Sequence, residues 1–464
     1  TTYQPSEIVL QCKKVFKNII AYDKFDFDGK KESMYALRPA FDTVADMIGK
    51  GKKVPESLLE IFAQNSEYFA KLDSLINAKD KVPFKIFDKK NAEKLFGKNL
   101  NISASQLEKF NLCRFSYFCN YGLNVRERQR AEINPMQYGT IVHYILERFF
   151  GEYTKEEYLS LEEDKFQKIV CAYLAEYAVK YFGEEQLESN SFTYRLKTIL
   201  DNVMYLMKHI MEELSQSEFF VADCELKIGE DIPSYTIVLP DGHKIAVCGS
   251  VDRVDIMQRA DITYLRIIDY KTGTKQFKLS DILYGINLQM LLYLHSIEAS
   301  GGYKYGEIVP AGILYMPATV PYISSDSLKS IDKLPDELNK KLKMNGLLLK
   351  DTEIIHGMDK TDAATYIPVK IKAGEPVSST SLATLAEFGK IFKKVDMLIA
   401  EMGKNIYNGN IEAKPLKGGH DSCEYCPYDS VCAYRQSNPI TCFSVDNKTV
   451  IEEITNEING KEEE

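Results

Sequence analysis

Gly249-Ser250-Val251-Asp252-Arg253 and, beyond a short polar turn, Ile267-Ile268-Asp269-Tyr270-Lys271 are the stretches on which the reading of this chain turns. Side chains alternate faces along a strand, so Asp269 and Lys271 point the same way, and Asp252 on the neighbouring strand reaches that face. The runs around them, Lys244–Met257 and Ile262–Lys271, read as a β-hairpin. Ile267 and Ile268 keep the second strand apolar up to the aspartate, which places the charges where an unpaired one is costly. Two carboxylates and an ammonium on a rigid sheet suit metal-assisted phosphodiester hydrolysis. Hard oxygens bind Mg²⁺, which stabilises charge on the phosphate and lowers the pKa of a water that the lysine orients or deprotonates. A D-x-K triplet alone is common, and the same residues also read as surface ion pairs on a solvated strand.

Working outward, Leu279–Ser296 reads as one long helix, with Gln289 and Tyr293 a turn apart on the stripe of Ile282 and Ile286. Polar groups on such a stripe must find partners, either the carboxylates and lysine or a purely structural network. Ile308–Met316 reads as another buried strand, and strands interleaved with helices indicate an α/β core. Upstream, Ser105-Gln-Leu-Glu108 has capping-box spacing for a helix leading into Cys113. Asn134-Pro135-Met-Gln137 starts a second helix, whose apolar face carries Ile141, Ile145 and Phe149. His143 lies at the edge of that face, one turn after Gly139, where a missing side chain leaves room. It reads as a ligand or as a hydrogen-bonded core-edge histidine. Residues 155–215 continue as helix, 318–375 as a polar insertion, and 381–408 as helix.

Cys423-x2-Cys426-x5-Cys432 sits in a loop, and spacing this tight suits chelation. Three thiolates leave a tetrahedral site one ligand short, with Cys442 nearby or Cys113 far upstream as candidates. On spacing alone, zinc with Cys442 is a fair reading.

The chain has 464 residues with 58 basic and 67 acidic side chains, a net charge of −9 that argues against a nucleic-acid partner. Partitioned, it argues less. Asp446–Glu464 holds seven acidic and two basic residues and reads as a solvated, frayed tail. Lys109, Arg114, Arg126, Arg128 and Arg130 face only Glu127, and aromatics run among them: Phe110, Phe115, Tyr117, Phe118 and Tyr121. Arginine with stacking aromatics suits single-stranded nucleic acid, while packing around a metal site explains the aromatics equally well. No apolar run is long enough to span a bilayer, so no membrane role is expected. No G-x4-G-K-[ST] phosphate loop occurs, which excludes a Walker-type ATPase. The chain opens at Thr1 without a signal peptide and reads as a cytoplasmic fragment.

In order, Cys113, Gly139-x3-His143, Gly249-Ser-Val-Asp252-Arg253, Asp269-Tyr-Lys271, Gln289-x3-Tyr293 and Cys423-x2-Cys426-x5-Cys432 resemble the iron–sulfur branch of the PD-(D/E)XK nuclease superfamily. They resemble most the C-terminal nuclease region of B subunits (AddB) of AddAB-type helicase–nucleases, as do Met344-Asn-Gly-Leu347, Met358-Asp359 and Ile367-Pro-Val-Lys370. The resemblance implies an α/β, restriction-endonuclease-like core with a central mixed sheet flanked by helices, a helical N-terminal segment and insertions. It implies catalytic Mg²⁺ on His143, Asp252, Asp269 and the Tyr270 carbonyl, with Lys271 acting on water and Gln289 and Tyr293 lining the site. It makes Cys113 the fourth thiolate, for a [4Fe–4S] cluster rather than zinc.

The expected organisation is an end of an upstream helicase-like part over 1–100, a nuclease domain over 101–440 and an acidic tail over 441–464. The expected substrate is DNA, contacted by Arg114, Arg126, Arg128 and Arg130, and the expected partner is a helicase–nuclease A subunit. Such a complex processes double-strand breaks for recombinational repair, cutting the 5′-ended strand. CRISPR-associated adaptation exonucleases share the cysteine layout but are much smaller and have no room for 318–375. A zinc-stapled, non-catalytic DNA-binding scaffold is the reading from another class.

Overall fold

The computed structural model describes residues 11–12, 14–16, 36–49, 52–80, 85–86, 88–126, 135–183, 189–273, 276–320, 334–361, 364–378, 380–432, 434 and 439–462. The chain divides into Thr1–Pro83 and Phe84–Glu464, so the division falls earlier than the expected residue 100. In the first unit, helices α1 (Leu37–Gly49), α2 (Glu56–Gln64) and α3 (Ser66–Asp80) enclose a small core of their own. Phe41, Val44, Phe62, Tyr68 and Leu72 fill it, with the Phe41 and Phe62 rings edge to face at 5.2 Å.

The second unit opens with the helix Lys89–Phe96 and strand β1 (Asn99–Ile102). Helix α4 (Ala104–Leu112) follows, and its capping box uses Ser103 and Gln106 rather than the expected Ser105 and Glu108. The Ser103 side chain accepts from Gln106 N, while Gln106 Oε1 accepts from Ser103 N at 2.8 Å. Glu108 is thereby left for another partner. Helix α5 (Pro135–Glu152) does begin at its proline, whose absent N–H costs nothing there. Helices α6 (Glu163–Phe182) and α7 (Asn190–Gln216) supply most of the expected helical stretch to 215.

Strands β2 (Phe220–Ile228), β3 (Thr236–Val238), β4 (Lys244–Val247), β5 (Gly249–Arg259) and β6 (Ile262–Lys271) come next. The run Lys244–Met257 is therefore two strands in two sheets: β4 sits between β1 and β3, while β5 joins the main sheet. The break falls at Gly249, where a Cβ would lie 2.2 Å from the Tyr293 hydroxyl. The expected helix Leu279–Ser296 is likewise split into a 3₁₀ turn, Leu279–Tyr284, and helix α8 (Gln289–Ser300). Gly285 (φ +68°) and Asn287 (φ +58°) adopt left-handed backbone between them, so Ile282 and Ile286 share no stripe with Gln289.

Strands β7 (Glu307–Pro317), β8 (Asn345–Leu349), β9 (Lys370–Lys372), β10 (Glu375–Val377) and β11 (Leu382–Ala383) complete the sheets up to helix α9 (Leu385–Tyr407). The main sheet runs β11-β8-β7-β6-β5-β2 and is mixed: β6 pairs parallel with β7 and antiparallel with β5. Strand β8 comes from the supposed polar insertion, yet Leu347, Leu348 and Leu349 are core residues. β6 is buried along most of its length, as a strand covered on both faces must be.

Short strands β12 (Leu416–Gly418) and β13 (Ile440–Cys442) flank the cysteine loop, and helix α10 (Asn447–Glu462) ends the described chain. The acidic end is thus no frayed tail. Val450, Ile454 and Ile458, spaced one turn apart, are buried in the core, and Glu457 pairs with Lys394 on α9. Among the described residues, no helix is long and apolar enough to cross a membrane.

Candidate active site

The hairpin of β5 and β6 puts Asp252 opposite Asp269. Its register pairs Arg253 with Ile268 and Asp255 with Arg266, so side chains of the other parity share the opposite face. Tyr270 N donates to Asp252 Oδ2 at 2.9 Å, tying one carboxylate to the strand that carries the next. Asp269 is 2% exposed. Its Oδ1 accepts from Gln289 Nε2 at 3.1 Å, and Lys271 Nζ lies 2.5 Å from Oδ2. That contact is charge against charge: Asp269 Oδ2 is buried without a hydrogen bond of its own.

His143 reaches the same face from α5. Its Nε2 is 3.6 Å from Asp252 Oδ2 and its Nδ1 is 2.9 Å from Glu225 Oε1. Glu225 also accepts from Ser250 Oγ at 2.8 Å. One ligand atom each from His143, Glu225 and Asp252 lie within 4.8 Å of one another. Glu225 is the residue that sequence reasoning missed. It sits mid-strand at φ +50°, a conformation a bulky residue adopts only when its surroundings hold it there. Nothing in Phe220–Ile228 marks it out by spacing or type.

The electrostatics show an excess of negative charge. Burial, then the Asp269 charge, push the Asp252 carboxyl up to about 7, against the opposing pull of His143 and the Tyr270 N–H. Burial works against charge on His143, but the Glu225 hydrogen bond and the nearby carboxylates outweigh it and raise the imidazole to about 8. Burial likewise disfavours the Glu225 carboxylate, but the hydrogen bonds from His143 and Ser250 hold its carboxyl below the usual range. Hard oxygens, an imidazole and an unsatisfied carboxylate oxygen together fit a divalent cation.

The remaining expected residues are placed differently. Tyr293 is buried, with its hydroxyl against Gly249 and the Ala104 backbone N–H, and it packs behind the carboxylates rather than in the cleft. The Tyr270 side chain points to the other face, where Arg253 NH1 lies 3.4 Å from its hydroxyl. Arg114 pairs with Glu401 at 3.3 Å and stacks over Phe110, so it is engaged within the fold. Phe110, Phe115 and Tyr117 are buried, and packing accounts for them. Arg126 is exposed, while Arg128 and Arg130 lie outside the described residues.

Elsewhere, Cys113, Cys423, Cys426 and Cys432 line one cavity of about 160 Å³ with Phe115 and Pro415. Burial pushes the Cys113 and Cys432 thiols up, and the backbone N–H groups of Phe115 and Ser116 pull Cys113 back. Four converging sulfurs, one of them facing backbone donors, fit a thiolate-ligated metal centre. Cys442 is not among them: it packs against Ile286 and Leu416, which removes it as the fourth ligand. Cys119 packs beside Cys113 and Tyr428, its thiol pushed up to about 11 by burial.

The family model described as the PD-(D/E)XK nuclease superfamily matches residues 101–433. Among curated proteins, the chain is 31% identical over 456 residues to the B subunit of the ATP-dependent helicase/deoxyribonuclease of Thermoanaerobacter sp. (strain X514), covering 93% of this chain and 39% of that protein. It is 32% identical to the protein of the same name from Ruminiclostridium cellulolyticum, covering 95% and 40%, and 33% identical to that from Clostridium botulinum (strain Hall), covering 93% and 40%. The chain thus spans about two fifths of the length of these relatives.

Proposed function

This chain belongs to the PD-(D/E)XK nuclease superfamily, and from that premise we propose that it is the Mg²⁺-dependent DNA-cutting part of a helicase–deoxyribonuclease B subunit. The observation that carries the reading is the set Asp252, Asp269 and Lys271 on paired strands, faced by His143 and Glu225.

Asp252, Asp269, His143 and Glu225, with the Tyr270 carbonyl, would hold the cation. When bound, Mg²⁺ stabilises charge on the scissile phosphate and lowers the pKa of the attacking water. The chain's own groups set the geometry. The Tyr270 N–H fixes the Asp252 carboxylate, and Gln289 fixes one oxygen of Asp269 so that the other faces the cleft. Lys271 Nζ, held beside Asp269, orients the water and balances charge as the phosphodiester is attacked. Exposed Arg126 is the described basic residue left to meet the DNA backbone.

Cys113, Cys423, Cys426 and Cys432 would hold a [4Fe–4S] cluster, clipping the start of the nuclease fold to its end. The relatives' name supports a cytoplasmic enzyme that works with a helicase–nuclease A subunit on double-strand breaks and cuts the 5′-ended strand. The test is degradation of single-stranded DNA in Mg²⁺ by wild type and by Asp269→Ala; equal rates would sink the assignment. Anaerobic purification tests the cluster: iron and sulfide with a brown colour are expected, and a colourless protein with one zinc would overturn it.

A further inference from the structure

Gln289 is the first residue of α8, and the chain reaches it through a segment with little to hold it. Gly285 and Asn287 are both left-handed, and no side chain of the segment itself caps the helix. A helix start leaves its first N–H groups without partners, and the Leu288 N–H is one of them. It is met from another element: Glu108 on α4 accepts from Leu288 N at 2.7 Å. A carboxylate there also suits the positive end of the helix dipole. One turn on, Asn111 Nδ2 donates to Gly285 O at 2.9 Å. The approach is close, since a Cβ on Gly285 would lie 2.2 Å from Asn111 Nδ2. The Tyr293 hydroxyl meets the N-terminus of α4 at Ala104, and Cys113 closes its far end. Helix α4 therefore runs as a strut beside the start of α8.

We infer that Glu108, aided by Asn111, is a positioning residue for nucleolytic cleavage: it clamps Leu288 N and so fixes where Gln289 meets the Asp269 carboxylate. The inference rests on the nuclease reading above. Glu108 touches no reacting group and acts through the neighbouring residue's side chain. Its side chain is the one left over when Ser103 and Gln106 form the capping box, so the helix start does not need it. A displacement of about 1 Å at a catalytic group can cost on the order of 100-fold in rate.

The test compares E108A, E108Q, E108D, Q289A and E108A/Q289A in the full chain. DNA-cleavage rates are measured at saturating single-stranded DNA and Mg²⁺, DNA affinity in Ca²⁺, and amide exchange over residues 281–292 without metal. E108A is expected to lower the maximal rate about 10- to 100-fold with affinity changed less than about 2-fold, and to speed exchange in that segment. E108Q, whose amide oxygen accepts the same N–H, recovers the rate to within about 3-fold of wild type. The double variant is no slower than Q289A, because the two residues act in series. If E108A does not fold, E108D carries the test: it keeps the charge, shortens the arm by a methylene and must be slower than E108Q. An E108A rate equal to wild type, or a double variant slower than Q289A by the full E108A factor, overturns the inference while an inactive Asp269→Ala leaves the nuclease reading standing. An Asp269→Ala as fast as wild type overturns that reading instead.

Discussion

Strands β5 and β6 carry charge on both faces, and the two faces are built to opposite rules. Behind the site, Arg253 and Arg266 meet Glu213 and Asp255, all four with wholly buried side chains. Arg253 grips Asp255 through two nitrogens at 2.7 Å each, and Arg266 NH2 reaches Glu213 Oε1 at 2.6 Å and Asp255 Oδ2 at 2.8 Å. The Arg266 guanidinium also lies 4.8 Å from the Phe219 ring centroid. Two positive and two negative groups cancel there. Burial resists the charges, but the arginines outweigh it and hold the Asp255 carboxyl below its usual range. In front, Asp252, Asp269 and Glu225 face only Lys271 and a histidine, and Asp252 is pushed up instead of down. The same residue types on the same strands thus do different work. A balanced cluster locks α7 to the sheet, while an unbalanced one has room for a cation.

The sharpest way to break this comparison is to remove a charge from each side. In front, Asp269→Ala should cut the rate on single-stranded DNA by about 1,000-fold or more while moving the melting temperature by only a few degrees. Behind, Arg253→Met leaves Glu213 and Asp255 buried with too little positive charge. Urea titration should then show a loss of about 3–5 kcal/mol. A loss under about 1 kcal/mol would mean that the rear cluster is not the lock described.

Cation binding sharpens the contrast. Mg²⁺ at about 100 times its dissociation constant should stabilise the wild type by about 2.7 kcal/mol and should stabilise Asp252→Asn far less. A smaller effect follows with pH in the absence of metal. The Asp252 carboxyl titrates near 7 in the folded chain against 3.8 when free, so folding favours its protonated form. That contribution is complete below pH 3.8 and is lost as the pH rises through about 7. His143, raised to about 8, adds a loss of the same sign at the upper end. At pH 8 without metal, Asp252→Asn should be more stable than wild type by at least about 1 kcal/mol in calorimetry. If it is less stable, Asp252 is a structural group.

What the sequence revealed tracks how local the signal is. Asp252, Asp269 and Lys271 were legible because strand alternation fixes their faces within a few residues. The thiols at 423, 426 and 432 were legible because their spacing is that of a chelating loop. Glu225 was not, since its place depends on a left-handed residue in mid-strand and on α5 lying across it. The break before Gln289 was half-visible: Gly285 signals a turn, but the apolar spacing of Leu279–Ser296 argues for continuous helix. Net charge hid α10, although Val450, Ile454 and Ile458 stand four apart. Charge describes a face that meets water; the burying face was written in the spacing. In the same way β8 was masked by the polar residues around three consecutive leucines.

The approach of Cys113 to Cys423 has a consequence for how the protein is made. Roughly 310 residues separate them, and at ~5–20 residues per second the ribosome needs about 15–60 s to pass from one to the other. Throughout that interval Cys113 is outside the ribosome without its three counterparts, beside α4 with nothing yet made for Glu108 and Asn111 to hold. The nuclease fold is therefore closed late, by the last tenth of the chain. Cells that oxidise or starve that one early thiol would be expected to lose the finished site rather than the folded domain's helices and strands.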